Sequence, residues 1–220
     1  MLVYPLFHDR IEAGDVLAGK LKGRVLDPEP LVLALPRGGV PVAFRIARTL
    51  QGDLDIFLVR KIGVPGQEEL AMGAIASGGT RVLNRSLIDY LGISSAAVEQ
   101  ATEREKLEIE RRERLYREGR PASPIEGRTV ILVDDGLATG ASMLAAVQAV
   151  RAQLPRRLIV AVPVAPLDTC AECGQHADDI VCAYTPEPFY SVGAWYEDFS
   201  QTTDMEVRKL LCEALQEHVT

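Results

Sequence analysis

The sequence predicts an α/β fold with an open, mostly parallel sheet and helices on both faces. Short apolar runs bounded by turn residues recur along it at 31–35, 56–59, 130–133 and 158–164, the pattern of strands buried on both sides. Helical patterns fill the intervals at 40–50 and 142–154, each entered through a glycine-containing turn, the second stopping at Pro155. Strands alternating with helices build a parallel sheet. With 220 residues, 47% apolar and 25% charged, the chain is long enough for one substantial core with an appendage.

The first strand, 31–35, runs into Pro36-Arg37-Gly38-Gly39 and a helix start. Arg37 brings a planar guanidinium suited to phosphate oxygens, and Gly38 and Gly39 let backbone amides approach an anion. The second strand ends in Val59-Arg60-Lys61-Ile62-Gly63, and residues 63–72 are rich in glycine and charge. Gly63, Pro65 and Gly66 discourage regular structure there, so this segment is expected to be a loose lid. From 94 to 117 the chain is densely charged, with glutamates and arginines at helical spacing and Ser94 or Ser95 as cap. Val98, Leu107, Ile109 and Leu115 are too sparse for a heptad seam, so a solvated helical insertion at 94–118 is expected.

Val130-Ile-Leu-Val-Asp-Asp-Gly-Leu-Ala-Thr-Gly-Ala-Ser142 is the sharpest signal. An apolar strand delivers Asp134 and Asp135 to its carboxyl end, where open α/β sheets place ligands, and adjacent carboxylates accept hydrogen bonds from a ribose diol. Gly136 opens the turn, and the amides of Ala138, Thr139, Gly140, Ala141 and Ser142 converge at a helix N-terminus, an arrangement that binds phosphate.

This segment resembles the phosphoribosylpyrophosphate motif of the type I phosphoribosyltransferases. The resemblance implies that Asp134 and Asp135 hold the ribose hydroxyls, that residues 136 and 138–142 hold the 5-phosphate, and that Arg37-Gly38-Gly39 is the pyrophosphate loop. Arg60 and Lys61 resemble the basic strand end of the orotate enzymes, facing pyrophosphate at the base of the lid. By this match Arg37, Arg60 and Lys61 serve catalysis, though the further Lys and His of the orotate loop are missing. Ala138 stands where hypoxanthine-guanine enzymes have an Asp for the purine N7, so the acceptor, a base or an amine, is not read from the sequence.

Residues 184–200, with a C-terminal helix behind them, resemble the hood of purine-type members. Phe189, Trp195 and Tyr196 are the acceptor-stacking candidates, and Glu197 and Asp198 would approach magnesium through water. The resemblance covers 31–164 in order and extends more weakly to 199. It implies 5-phosphoribosyl-1-pyrophosphate as substrate, magnesium as cofactor, a place in nucleotide metabolism and a homodimer. A sensor of the same ligand that lacks catalysis is the alternative.

The net charge of −7 is spread through mixed-sign segments with no basic run interleaved with aromatics, so no nucleic-acid partner is expected. Acidic residues early in the first segment fit neither a signal peptide nor a membrane span, which points to the cytoplasm. Cys170, Cys173, Cys182 and Cys212 all fall late in the chain, and a reducing cytosol argues against a disulfide framework. A short helix at 168–176 puts Cys170 and Cys173 one turn apart. Ordinary packing is expected there, with zinc held by these two, His176 and Cys182 as the alternative.

Overall fold

The computed structural model describes residues 4–25 and 27–217. In chain order its elements are α1 (Arg10–Leu21), β1 (Leu31–Ala34), α2 (Gly39–Leu50), β2 (Asp53–Ile56), β3 (Val59–Val64), β4 (Gln67–Ala76), β5 (Arg81–Leu83), α3 (Arg85–Tyr90) and α4 (Ser95–Arg117). Then follow β6 (Thr129–Val133), α5 (Ala141–Arg151), β7 (Arg157–Val164), α6 (Leu167–Gly174), β8 (Asp179–Tyr184) and α7 (Asp204–Glu217).

Five strands form an all-parallel sheet in the order β2-β1-β6-β7-β8. Alternate side chains enter two different cores, as the two-residue strand period requires. Val32, Ala34, Ile131 and Val133 face the layer that holds α1, α2 and α7, whereas Leu31, Leu33, Val130 and Leu132 face α5 and α6. Helices therefore cover both faces of an open sheet, as the sequence predicts. The second strand starts earlier than its apolar run suggests: Asp53–Ile56 pairs with β1, and Phe57 and Leu58 are buried just beyond it. Asp53 and Asp55 interrupt the apolar signal there.

The segment expected to lack regular structure as a loose lid forms a β-hairpin instead. β3, β4 and β5 form an antiparallel sheet turning at Pro65–Gly66, with irregular register at Gly63, where any Cβ would lie 2.6 Å from the Glu68 carbonyl oxygen. Ile62, Val64, Met72 and Ile75 are buried in the core that includes Val98, Ala101 and Ile109 of α4. Burial of these apolar residues anchors the hairpin; only its tip, residues 65–70, is exposed throughout.

α4 is not merely a solvated helix. Ser94 caps it, accepting from the Ala97 amide, and Val98, Ala101, Thr102, Glu105, Ile109 and Tyr116 form a buried stripe at helical spacing. Its charges clamp the sheet. Arg117 is buried and donates from Nε to Asp55 Oδ1 at 2.8 Å and from Nη2 to the Ile56 carbonyl at 2.8 Å, while its Nη1 lies 3.1 Å from Glu113. Asp55 also accepts from the Ser123 amide at 2.9 Å, and Glu113 from Ser77 Oγ at 2.7 Å.

Arg117→Ala would strand the Asp55 carboxylate inside the fold, where breaking one side of a buried pair costs about 3–5 kcal/mol. Urea unfolding is expected to show a loss of that order. A change under about 1 kcal/mol would show that solvent screens the pair.

Candidate functional site

The sheet order reverses between β1 and β6, since β1 continues to β2 on one side and β6 to β7 and β8 on the other. Ligands of open α/β sheets bind at the carboxyl ends of the strands flanking such a point. Here the two ends carry Pro36-Arg37-Gly38-Gly39 and Asp134-Asp135.

These loops touch. A Cβ on Gly38 would lie 2.0 Å from Asp135 Oδ2, and one on Gly39 2.8 Å from the Val133 carbonyl oxygen, so only glycine lets the turn settle on the acidic pair. The Pro36–Arg37 peptide is cis, and the Leu35 amide donates to the Val133 carbonyl at 2.8 Å.

Asp134 and Asp135 are partly buried side by side, and the Asp135 amide donates to Asp134 Oδ1 at 2.9 Å. Burial raises the Asp134 carboxyl well above its usual range, and the Asp135 charge adds to the rise. Burial raises Asp135 too, with Arg10 pulling the other way. Arg10 is a residue that sequence reasoning misses. Its Nε donates to Asp135 Oδ2 at 2.8 Å, its Nη1 to the Ser200 carbonyl at 2.8 Å, and its guanidinium lies 3.9 Å from the centre of the Phe199 ring. Nothing in the local sequence marks it, because its role depends on two distant segments. Residues 6–8 pair with 195–198 through backbone bonds, including the Glu197 amide to the Phe7 carbonyl, and Asp9 caps α1 immediately afterwards.

After the acidic pair, Gly140 takes a left-handed conformation (φ 70°) and opens α5 without a side-chain cap. Ala138, Thr139, Ala141 and Ser142 are exposed around that uncapped N-terminus, where backbone N–H groups and the helix dipole favour an anion. Gly136 is buried, and a Cβ there would meet Val192 at 2.5 Å, so this glycine makes room for the 184–200 segment.

The basic candidates are dispersed. Arg37 Nη1 lies 3.5 Å from Asp204 Oδ1 on the edge of a cleft of about 300 Å³ lined also by Pro36, Arg111, Arg112 and Tyr116. Tyr116 donates to the same Asp204 oxygen at 2.7 Å, and burial with that hydrogen bond pushes its hydroxyl up to about 12. Arg111 and Arg112 both bond Glu108, which they hold down at about 2. Arg60 donates to Glu105 of α4 at 2.9 Å, whereas Lys61, its neighbour on β3, is exposed. Successive strand residues point to opposite faces, so the two do not form one basic patch.

The 184–200 segment is also rearranged relative to expectation. Trp195 and Tyr196 are buried with Phe7, Ala13 and Val164 rather than displayed as stacking surfaces. Tyr196 Oη donates to the Asp135 carbonyl at 2.6 Å, which makes it a brace for the acidic pair, and burial raises its hydroxyl pKa. Phe189, half-buried, does line a cleft of about 380 Å³ with Pro166, Leu167, Asp168, Thr185 and Glu187. Glu197 and Asp198 are exposed, the first beside His8 Nδ1 at 2.8 Å and the second accepting from the Ser200 amide at 2.8 Å. Among the described residues no cluster of three or more His, Cys, Asp or Glu could hold a metal by itself. The cysteine expectation changes accordingly: Cys170 and Cys182 form a disulfide, because α6 and β8 lie side by side with these Cα atoms 6.6 Å apart.

The phosphoribosyl transferase domain family model matches residues 9–182, and the chain belongs to that family. It is 44% identical over 209 residues to a Mycobacterium tuberculosis H37Rv protein named "Putative phosphoribosyl transferase Rv0571c". That match takes in 95% of this chain and 47% of the relative, so the chain spans about half the length of the curated relatives it matches. The crystal structure of TT1426 from Thermus thermophilus is similar over 94% of this chain and 98% of that one, with 43% identity and a TM-score of 0.83. A protein of Aquifex aeolicus, AQ2163, shares the fold at 9% identity and a TM-score of 0.50, over 84% of this chain and 76% of that one.

An acid whose pKa rises on folding stabilises the fold where it is protonated, below its unfolded pKa, and loses that contribution as pH rises through the folded value. At pH 7.5, above the unfolded pKa, that contribution is lost in whole or in part and Asp134 burdens the fold, whereas Asp134→Asn keeps the oxygen that accepts from the Asp135 amide. The variant is expected to melt roughly 2–4 °C higher than the parent, the yield of about 1 kcal/mol in a chain this long, with the gain shrinking toward about pH 4. A lower melting temperature at the higher pH would contradict the claim that burial of charge is costly here.

Proposed function

We propose that this chain transfers the 5-phosphoribosyl group of 5-phosphoribosyl-1-pyrophosphate to a small acceptor, a base or an amine, with release of pyrophosphate. One observation carries the reading: the acidic pair lies at the switch point of the sheet, with the Arg37 turn seated on Asp135 through Gly38 and the uncapped N-terminus of α5 following the pair in the chain. Asp134 and Asp135 would accept from the ribose hydroxyls, and the backbone of 138–142 would hold the 5-phosphate. Arg37 would take the pyrophosphate in place of Asp204.

In the reaction the bond from the anomeric carbon to the pyrophosphate oxygen breaks and a bond to the acceptor nitrogen forms, while positive charge develops on the sugar. The two carboxylates lie where that charge grows, and the guanidinium of Arg37 where negative charge accumulates on the leaving group. Magnesium, when bound, would neutralise the pyrophosphate. Its ligands would be chiefly the oxygens of the phosphoribosyl donor and water, which is how this ion binds in phosphate sites, with Glu197 or Asp198 reaching it only through water. The acceptor would enter beside Phe189. Behind that ring the buried Trp195 indole N–H has no partner among the described residues, which leaves a hydrogen bond to offer.

With magnesium, the phosphoribosyl donor at a hundred times its Kd is expected to add about 2.7 kcal/mol, roughly 5–10 °C in melting temperature. Asp134→Asn combined with Asp135→Asn should lose that rise and stay folded; equal calorimetric binding by parent and double variant would refute the assignment. Bases and amines are then screened by pyrophosphate release, and firm binding without release for any of them would favour the sensor.

Lys61 is exposed on the hairpin, and its role here would be to act on the leaving group in the transition state. Lys61→Ala should accordingly lower kcat at least about tenfold and leave the affinity for the phosphoribosyl donor within about threefold, the split that marks transition-state stabilisation. An unaltered kcat would remove Lys61 from the mechanism.

A further inference from the structure

We propose that Cys170 and Cys182 are a reversible thiol–disulfide site controlling how firmly the 138–142 loop is held; its effect on ligand affinity rests on the phosphate role proposed for that loop. The disulfide ties α6 to β8 across 12 positions of sequence. α6 has only 8 residues and one buried side chain, Cys173, so little apolar area holds it in place. Helices this short are marginal without such anchoring.

The residues that seat α6 are also the ones that touch the loop. Thr169 Oγ1, next to Cys170, donates to the Ala138 carbonyl at 3.2 Å. A Cβ on Gly140 would lie 2.9 Å from Thr169 Cγ2 and 3.2 Å from Cys173 Sγ, so α6 stands directly behind the left-handed residue that opens α5. Two further bonds frame the loop, from the Leu137 amide to the Val164 carbonyl at 2.9 Å and from the Leu144 amide to the Gly140 carbonyl at 2.8 Å. Freeing Cys170 from β8 loosens the support of Ala138 and Gly140 and leaves the ends of the loop attached.

Cys170 and Cys182 are half-buried, open to a small dithiol. Cys173 is buried and its thiol is raised by burial, so it is a poor competitor in exchange. Reduction proceeds through attack of a dithiol's thiolate on one sulfur of the bridge, breaking the S–S bond and forming a mixed disulfide, which the second thiol of the reagent then displaces. Two electrons and two protons pass to Cys170 and Cys182 as thiols, and the reagent leaves as its cyclic disulfide.

The test compares the full chain purified without reductant with the same protein treated with dithiothreitol and with a Cys170→Ser, Cys182→Ser double variant. Denatured thiol titration of the untreated protein should find two free thiols, Cys173 and Cys212. Hydrogen exchange across residues 137–145 should be at least about fivefold faster after reduction, and equally fast in the double variant with or without dithiothreitol. Calorimetry should show the affinity for the magnesium complex of the phosphoribosyl donor falling at least about fivefold on reduction, a coupling of ordinary size between linked sites. Four free thiols in the untreated protein, equal exchange in its two forms, or equal affinity in both would each overturn the proposal. Because exchange needs no ligand and reduction needs no substitution, the loop coupling is decided even if the donor binds neither form, a result that would overturn the phosphate reading instead, or if the double variant fails to fold.

Discussion

Two carboxylates held side by side at the switch point of the sheet, with a single guanidinium to offset them, are the constraint around which the molecule is arranged. Asp134 and Asp135 resist ionisation because burial and mutual repulsion act together, and Arg10 relieves part of the burden on Asp135 through a direct ion pair. A fold optimised for stability alone would exchange such a pair for amides or apolar residues. Around them each support is fitted to the pair: Gly38 leaves room for Asp135, Tyr196 bonds its carbonyl, and Phe199 covers the cation that pairs with it.

That arrangement explains why segments far from the sheet core are ordered at all. Residues 6–8 and residues 195–198 exchange backbone hydrogen bonds, which delivers Arg10 on the first turn of α1 to the acidic pair. On the other side, α4 commits buried charge to Asp55 and Ser77, fixing β2 and the turn after β4. Its outer arginines then face Asp204 and Arg37 across a cleft. The charged helix is thus a strut between the sheet and the Arg37 turn.

How much of this is legible in the sequence follows from the range of each interaction. The strand ending in Asp134-Asp135, the loop after it and the Arg37 turn are local patterns, each contained in a short stretch of chain, and the sheet places them where the sequence predicts. α1 is hard to read because its buried face is Ala13, Gly14, Leu17, Ala18 and Leu21, a stripe too small-sided to stand out, with Gly14 needed where a Cβ would meet the Val42 carbonyl at 2.8 Å. In the hairpin, glycines and charges mask the apolar signal that Ile62, Val64 and Met72 carry. The clustering of aromatic residues points Trp195 and Tyr196 to a ligand surface, yet their burial against Phe7 depends on a partner at the opposite end of the chain. The Cys170–Cys182 pairing likewise depends on α6 lying against β8, which no spacing rule supplies.

Two clefts at the carboxyl end of the sheet differ in charge in a direction that would suit the proposed group transfer. They flank β6, one at the end of β1 and the other at the ends of β7 and β8. Among the described residues the first is lined by Arg37, Arg111 and Arg112 against a single carboxylate, Asp204, and the second by Asp168 and Glu187 with no lysine or arginine. In the proposed transfer a departing polyanion would be drawn to the first and repelled by the second, whereas an acceptor presenting N–H groups would meet the reverse. In the proposed reaction, negative charge on the pair between them would favour positive charge on a sugar more than a neutral ground state, so the interaction that burdens the empty fold would be the one that grows along the reaction.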